Sequence, residues 1–250
     1  MSAEPRSRKG GEAFPPTRLS AIAALAGHSR EERARAWETL AAAYWMPVYK
    51  YIRIRWNRPP EDAEDLAQGF FAEALDKKFF DRYDPARARF RTFLRTCLDG
   101  FIANAGKSAG RIKRGGDVEF LSFDFSEAET QLGGARPDEN SIDTYFDREF
   151  ARSLFSLALE ELRAALHARG KTLHYTLFEQ YVLHDDDAAP RPGYRELAQM
   201  HGIAVTDVTN YLAATRRDFR RILLDKLRGL TASEEEFREE ARSLLGVDPE

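Results

Sequence analysis

The sequence has little of the chemistry that metal sites and disulfides require, with one cysteine, Cys97, and five histidines in 250 residues. A single cysteine excludes an intramolecular disulfide framework and a cysteine-based zinc site. The histidines form no close pair at metal-ligand spacing, and the three acids after His184 point in different directions, which favours a solvated loop. We therefore expect no metal and no cofactor.

Long hydrophobic runs are also missing. No stretch approaches the roughly 20 apolar residues that a membrane helix requires, and the N-terminus lacks the apolar core of a signal peptide. Hydrophobic residues make up 43% of the chain and charged residues 32%, which is typical of a soluble protein with a packed core. We expect a reduced, cytoplasmic protein with no membrane association.

An excess of basic residues is absent, because 38 Lys and Arg against 41 Asp and Glu give a net charge of −3. This excludes a uniformly basic coat for nucleic acid but leaves room for a local basic surface. A glycine-rich phosphate loop is missing too. Cys97 lies on an apolar stripe, and the acids of 61–64 fit the first turn of a helix. We find no catalytic constellation and expect no enzyme.

The alternation typical of β-strands is missing as well, whereas apolar residues recur every three or four positions from Leu19 onward, which predicts an all-α fold. A long helix is expected over 33–56 and is stopped by Pro59 and Pro60. A second helix begins at Glu61 or Asp62. A third carries apolar residues from Phe93 to Ala105 on one side, weakens around Gly106 and Gly110 and ends at 115–116. A second helical block follows, and a last short helix begins near Ser233.

The range 117–149 is acidic and is interrupted by Gly133, Gly134 and Pro137, a composition typical of a flexible linker. We therefore predict two small helical domains, residues 19–116 and 150–230, joined by an acidic flexible linker over 117–149. Residues 1–18 are expected to be a disordered tail. Residues 231–250 form a C-terminal helical extension.

The range 194–221 has the pattern of a helix-turn-helix. Gly202 is suited to end the first helix, which carries Leu197, Ala198 and Met200, and Ile203 would fill the corner. The second helix has apolar residues at Val205, Val208, Leu212, Thr215 and Phe219. Its opposite face is polar near the start, for base edges, and basic further along, for phosphates. That face carries Thr206, Asn210, Ala213, Arg217, Arg220 and Arg221. The alternative is a helix hairpin whose arginines only solvate the surface.

A second basic segment interleaves arginines with aromatic residues, namely Arg89, Phe90, Arg91, Phe93 and Arg95. Arginines hold backbone phosphates and aromatic faces stack on exposed bases, which is the chemistry of single-strand binding grooves. The alternative is that Phe90 and Phe93 belong to the core.

These motifs together resemble a known family. The ranges 45–53 and 62–68 with Phe71, followed by 90–94 and 102–104, resemble the second region of bacterial sigma factors of the compact, extracytoplasmic-function type. The range 194–221 is similar to the fourth region of the same family. The order of the motifs and the acidic linker agree, so the resemblance covers most of 19–228.

The resemblance implies a non-catalytic subunit that joins core RNA polymerase and directs it to promoter DNA. Contacts with the clamp helices of the polymerase are implied for Asp62, Asp65, Gln68 and Phe71, and the second domain would meet the polymerase flap. The segment 90–114 would open and hold the minus-10 element, with site residues Arg89, Phe90, Arg91, Phe93, Arg95, Asn104, Lys107, Arg111 and Arg114. The helix over 206–221 would read the minus-35 element. The free protein would be a monomer, and an anti-sigma factor or another regulator is a further candidate partner.

The chain departs from the family pattern in three places. Gly69 follows Gln68 where the family usually has Glu, which puts the clamp contact in question. Asp207, Asn210 and Tyr211 stand early in the recognition helix, where the family tends to be basic. The segment after about Thr231 extends past the usual end of the family and could shield the domain, bind a regulator or cap the core.

Two other functions compete with this interpretation. A stand-alone helix-turn-helix transcriptional regulator would use 194–221 without polymerase, but it leaves the basic aromatic segment and the docking helix unexplained. A pure interaction module, such as a decoy that holds polymerase, is the third hypothesis.

Overall fold

The computed structural model describes residues 20–25, 29–76, 79–105, 123–132, 142–184 and 190–249. These residues are helical with no strand among them, which confirms the all-α prediction. In chain order the α-helices are α1 (Ala21–Leu25), α2 (Arg30–Arg55), α3 (Pro60–Asp76), α4 (Phe90–Ala105), α5 (Phe125–Leu132), α6 (Ile142–Ala168), α7 (Thr172–Val182), α8 (Tyr194–His201), α9 (Val205–Gly229) and α10 (Glu234–Leu245), with a short 3-10 helix at Phe79–Arg82.

The long helix α2 is the centre of the first half of the chain. Ser29 caps its start by accepting a hydrogen bond from the Glu32 N–H at 3.4 Å, and two glutamates in the first turn suit the positive end of the helix dipole. Its buried residues, including Leu40, Tyr44 and Val48, recur at helical spacing. Helices α1, α3, α5 and α6 pack around it.

Helix α6 joins the two halves by packing along α2. Tyr44 stacks on Phe150 with ring centroids 4.6 Å apart, and Tyr51 meets Phe146 edge-on at 5.6 Å. Between these aromatic pairs, Lys50 Nζ lies 2.7 Å from Glu149, and both side chains are 1% exposed. The described parts of the two predicted domains therefore pack against each other.

Two stretches of the predicted flexible linker are helical in the structure. Helix α5 lies within it, and α6 begins at Ile142, ahead of the expected start at 150. Phe125 packs against Trp45 and Tyr49 of α2. Glu129 accepts a 2.6 Å hydrogen bond from the Tyr49 hydroxyl and pairs with Arg53. The acidic composition predicts that Glu129 is solvated, whereas α2 supplies its partners. Residues 117–122 and 133–141 lie outside the described residues.

The second half of the chain is a helical bundle of α6, α7, α8 and α9, with α10 packed against α6 and α9. Its centre contains Leu162, Leu177, Leu212 and Phe237, all fully buried. None of the described helices combines the length and the apolar character needed to cross a membrane. The predicted tail at 1–18 lies outside the described residues.

Candidate nucleic-acid interfaces

The corner between α8 and α9 has the local geometry of a helix-turn-helix. Glu196 fixes the start of α8 by accepting a 2.7 Å hydrogen bond from the Gly193 N–H. Gly202 ends α8 with a left-handed φ of 63°, as predicted, because a residue without Cβ adopts this conformation without strain. The Ile203 N–H donates to the Ala198 carbonyl at 3.0 Å, and the Ile203 side chain packs against the core.

Helix α9 buries the stripe that the spacing predicted, including Val208, Leu212 and Thr215. The Thr215 hydroxyl is satisfied by the Tyr211 carbonyl at 2.8 Å. Two predicted apolar positions differ: Met200 is 62% exposed and Val205 is 42% exposed. Both lie close to the turn between α8 and α9.

The opposite face of α9 is open to solvent. Thr206, Asn210, Arg217, Arg220 and Arg221 are exposed, and Ala213 is half-buried. This set was predicted for the minus-35 element, and the structure places it on one accessible face that is polar first and basic later. We call these six residues the α9 outer face.

Two residues that depart from the family pattern in α9 have structural roles. The Asp207 carboxylate accepts a hydrogen bond from the Ala204 N–H at 3.4 Å, which caps the start of the helix. Tyr211 stacks on His174 of α7 with ring centroids 4.0 Å apart. Burial, reinforced by Lys171, lowers the pKa of His174 below its usual value.

The residues predicted to dock on polymerase divide into two groups. Asp62 and Asp65 are exposed on α3 and Gln68 is half-buried, so all three reach the surface. Phe71 is a core residue, with its ring 5.9 Å from that of Trp37. The Phe71 side chain therefore supports α3 from inside rather than presenting a contact. A Cβ at Gly69 would lie 3.4 Å from the Phe101 ring, an ordinary contact distance, so space alone does not require glycine there.

The aromatic part of the predicted minus-10 segment is mostly internal. Phe90 is 1% exposed and lies against Phe80 and Tyr83, with ring centroids 5.3 and 5.2 Å away. Phe93 is half-buried beside Tyr83. For Phe90 the core alternative applies in this structure, since its ring cannot stack on a base while it is enclosed.

The arginines of this segment face carboxylates rather than solvent. Arg91 is 6% exposed, and its guanidinium lies 2.8 Å from Asp147 and 2.7 Å from Glu240. Arg89 lies 3.5 Å from the same Glu240. Arg95 lies 3.0 Å from Asp143. Asn104 is exposed, whereas Lys107, Arg111 and Arg114 lie outside the described residues.

Sequence reasoning missed the importance of three glutamates on α10. Glu236 accepts hydrogen bonds from the Phe90 N–H at 2.7 Å and the Tyr83 hydroxyl at 3.1 Å. Its other oxygen accepts from the Ala232 N–H at 2.7 Å, and its own N–H donates to the capping Ser233. The signal was present, because Glu236 and Glu240 have the same i, i+4 spacing as their buried neighbours Phe237 and Ala241 and so share their inward side. We call Glu236, Glu239 and Glu240 the acidic face of α10.

Burial shifts the pKa of ionisable groups on α10 and α4. It raises the pKa of the Glu240 carboxyl, although Arg91 and Arg89 act in the opposite direction. Burial also raises the pKa of the half-buried Cys97 thiol. Within the described ranges, no three His, Cys, Asp or Glu side chains converge in a way that could hold a metal ion.

The chain was compared with known proteins. No protein-family model matches it, and no significant match is found among curated proteins or solved structures.

Proposed function

We propose that the protein is a sigma factor of the extracytoplasmic-function type, which binds core RNA polymerase, recognises promoter DNA and helps to open it. The observation that carries this proposal is the helix-turn-helix of α8 and α9 with its exposed outer face. Exposed arginines late in α9 suit phosphates, and Asn210 near its start suits a base edge. The motif order that resembles the sigma family supports the rest.

Under this proposal the exposed acids Asp62 and Asp65, with Gln68, form the contact with the polymerase clamp. The segment 89–95 serves the minus-10 element and the α9 outer face serves the minus-35 element. The protein acts in the cytoplasm, is a monomer when free and needs no cofactor of its own. Its binding partners are promoter DNA, the polymerase clamp and flap, and any anti-sigma factor that controls it.

The test is transcription with purified core polymerase on a library of templates whose upstream sequences are randomised. The protein is expected to add discrete transcripts that core polymerase alone does not make, and sequencing of their templates gives the preferred promoter. Arg217→Ala with Arg221→Ala should reduce these transcripts, because the salt-dependent phosphate contacts are lost. Arg35→Ala, an exposed arginine near the start of α2, is the matched control and should retain them.

A stand-alone DNA-binding regulator is the second candidate. A specific observation favours it: the α9 outer face is open, whereas Arg91 and Phe90 of the minus-10 segment are covered. Such a regulator would bind duplex DNA through α9 and would neither co-purify with core polymerase nor add transcripts. Replacing Asp65 and Gln68 together by Arg should abolish co-purification with polymerase under the sigma proposal and would have no effect under this one.

A further inference from the structure

The acidic face of α10 sits on the segment that the proposed function assigns to unpaired promoter DNA. Glu240 approaches Arg91 at 2.7 Å and Arg89 at 3.5 Å. Glu239 lies 3.4 Å from Arg89, and Ser243 accepts a 3.2 Å hydrogen bond from the same guanidinium. Helix α10 therefore occupies Arg89 and shares Arg91 with Asp147 of α6.

The donors that α10 engages are those that a nucleic-acid backbone would engage. Guanidinium groups, a tyrosine hydroxyl and a backbone N–H are the usual partners of phosphate oxygens. Here Arg89, Arg91, the Tyr83 hydroxyl and the Phe90 N–H all point at carboxylates of α10. Carboxylates and phosphates carry the same sign of charge and both accept hydrogen bonds, so they compete for one set of donors.

Helix α10 also bridges the two halves of the molecule. Phe237 and Ala241, which lie next to the glutamates of the acidic face on the inward side of α10, are fully buried, and the helix packs on α6 and α9. The Arg228 guanidinium of α9 lies over the Phe237 ring at 4.1 Å and pairs with Glu234. Helix α10 thus covers the segment 83–91 and also holds it beside the DNA-binding half.

The size of the packed chain, compared with the separation of the two promoter elements, indicates that this arrangement is a closed state. Under the proposed function, elements centred at positions −35 and −10 are about 25 base pairs apart, which is about 85 Å at a rise of about 3.4 Å per base pair. A compact body of about 200 residues, the number that the structure describes, has a radius of gyration of about 16 Å and hence a diameter on the order of 45 Å. A chain packed as one body through α2, α6 and α10 cannot read both elements at once, so reading them requires the halves to separate.

We propose that α10 is an autoinhibitory helix whose acidic face occupies, within the same chain, the site for single-stranded promoter DNA and releases it when the two halves separate. The inference rests on the proposed function and adds a regulatory element to it. The partner excluded by the closed state is single-stranded nucleic acid, whereas the α9 outer face remains accessible to duplex DNA.

The ionisation of Glu240 is consistent with a contact of α10 that can be released. Burial raises the pKa of this carboxyl even with two arginines beside it, which means that burial of the charged form is costly. The ion pairs between α10 and the segment 83–91 therefore hold the helix less strongly than their number suggests. A competing polyanion therefore has to overcome only a small interaction free energy between α10 and the segment 83–91.

The test uses the full-length chain and the affinity for a fluorescein-labelled single-stranded oligodeoxynucleotide of mixed sequence, measured by anisotropy. Glu240→Lys places an ammonium group beside Arg89 and Arg91 and should release α10. The apparent dissociation constant equals the intrinsic one divided by the open fraction, and we expect it to fall about tenfold. Glu235→Lys makes the same charge change at an exposed position of the same helix and should give little change.

A second variant separates release from charge. Arg238→Gly removes a positive charge from an exposed position of α10, which by itself disfavours DNA binding. Glycine also weakens the helix, so the proposal predicts tighter binding of the oligonucleotide. Faster hydrogen exchange of the α10 amides on addition of DNA to the wild-type chain, with the circular dichroism of both variants unchanged, would locate the effect in α10.

The possible outcomes distinguish failure of the autoinhibition proposal from failure of the sigma proposal. If wild type, Glu235→Lys and Glu240→Lys all bind the oligonucleotide equally tightly, autoinhibition is overturned while the sigma proposal stands. The same holds if Arg238→Gly binds more weakly than wild type. If no variant binds the oligonucleotide and none adds transcripts with core polymerase, both proposals are overturned.

Discussion

At the scale of single residues, Lys50 and Glu149 form an ion pair whose two side chains are each 1% exposed. Both side chains are buried between α2 and α6, and Lys50 also donates to Gln131 at 2.7 Å. Removal of Lys50 leaves the buried Glu149 carboxylate with the exposed Arg152 as its remaining ionic partner. Lys50→Ala should therefore lower the free energy of unfolding by about 3–5 kcal/mol, measured by urea denaturation.

The control for this prediction is the exposed pair of Arg35 and Glu31, which has the i, i+4 geometry of a helix surface. Arg35→Ala should change the free energy of unfolding by no more than about 0.5 kcal/mol. The double variant Lys50→Met with Glu149→Leu should recover most of the loss, because no buried charge then remains. A single variant that costs no more than the surface control would refute the assignment.

His174 makes the stability of the second half depend on pH. Its pKa is lowered by burial against Tyr211, so the unfolded chain takes up a proton before the folded chain does. Its contribution is therefore fully present above the unfolded value of about 6.5 and is lost as pH falls through the lowered pKa. His174→Phe keeps a stacked ring without titration, and its melting temperature should fall less than that of wild type between about pH 7 and pH 5. Identical pH profiles would contradict this role.

At the scale of elements, the helix-turn-helix depends on the backbone of Gly202. Its φ of 63° is left-handed, and a Cβ built there would meet no atom within 4 Å, so a substitution is opposed by the backbone alone. Gly202→Ala should destabilise the fold by about 1–2 kcal/mol. Gly100 lies in the middle of α4 with equal space around it, and Gly100→Ala should instead stabilise by up to about 1 kcal/mol. Thermal melts of both variants give the comparison, and the same sign for both would refute the argument.

Elements defined by local periodicity were predictable from the sequence. Helices α2, α3, α8 and α9 follow apolar spacing and clear stop signals, and Gly202 marks the corner because its requirement is local. The α9 outer face followed from the same periodicity, since it is the side opposite the buried stripe.

What the sequence did not reveal depends on contacts between distant segments. Glu129 of α5 looks solvated until Tyr49 and Arg53 are placed beside it. The arginines of 89–95 look like an open phosphate-binding surface until Glu240, about 150 residues later, is folded onto them. In both cases the charge of a segment was predictable, whereas the partner that neutralises it was set by tertiary packing.

At the scale of the whole molecule, the proposals require two arrangements of the same helices. In the closed arrangement α10 and α6 hold the segment 83–91 close to the DNA-binding half. Binding to core polymerase and promoter DNA should separate α4 from α9, because the two promoter elements lie farther apart than the closed body spans. The opening requires α10 to release its acidic face and α6 to part from α2 or from α9, but it requires no change within α7, α8 and α9.

This separation is measurable by energy transfer between dyes on exposed positions of α4 and α9. Thr96→Cys and Asp225→Cys in a Cys97→Ser background provide the labels, and both positions are exposed. Transfer efficiency should be high in the free protein and should drop when core polymerase and promoter DNA are added together. A control pair, Glu179→Cys with Asp225→Cys, lies within the DNA-binding half on α7 and α9 and should stay constant. Glu240→Lys should lower the efficiency of the first pair before any partner is added, because releasing α10 removes one of the two helices that hold the halves together. If transfer between α4 and α9 stays unchanged in an initiating complex, the closed body itself would be the active form and the helix would be a permanent part of the core.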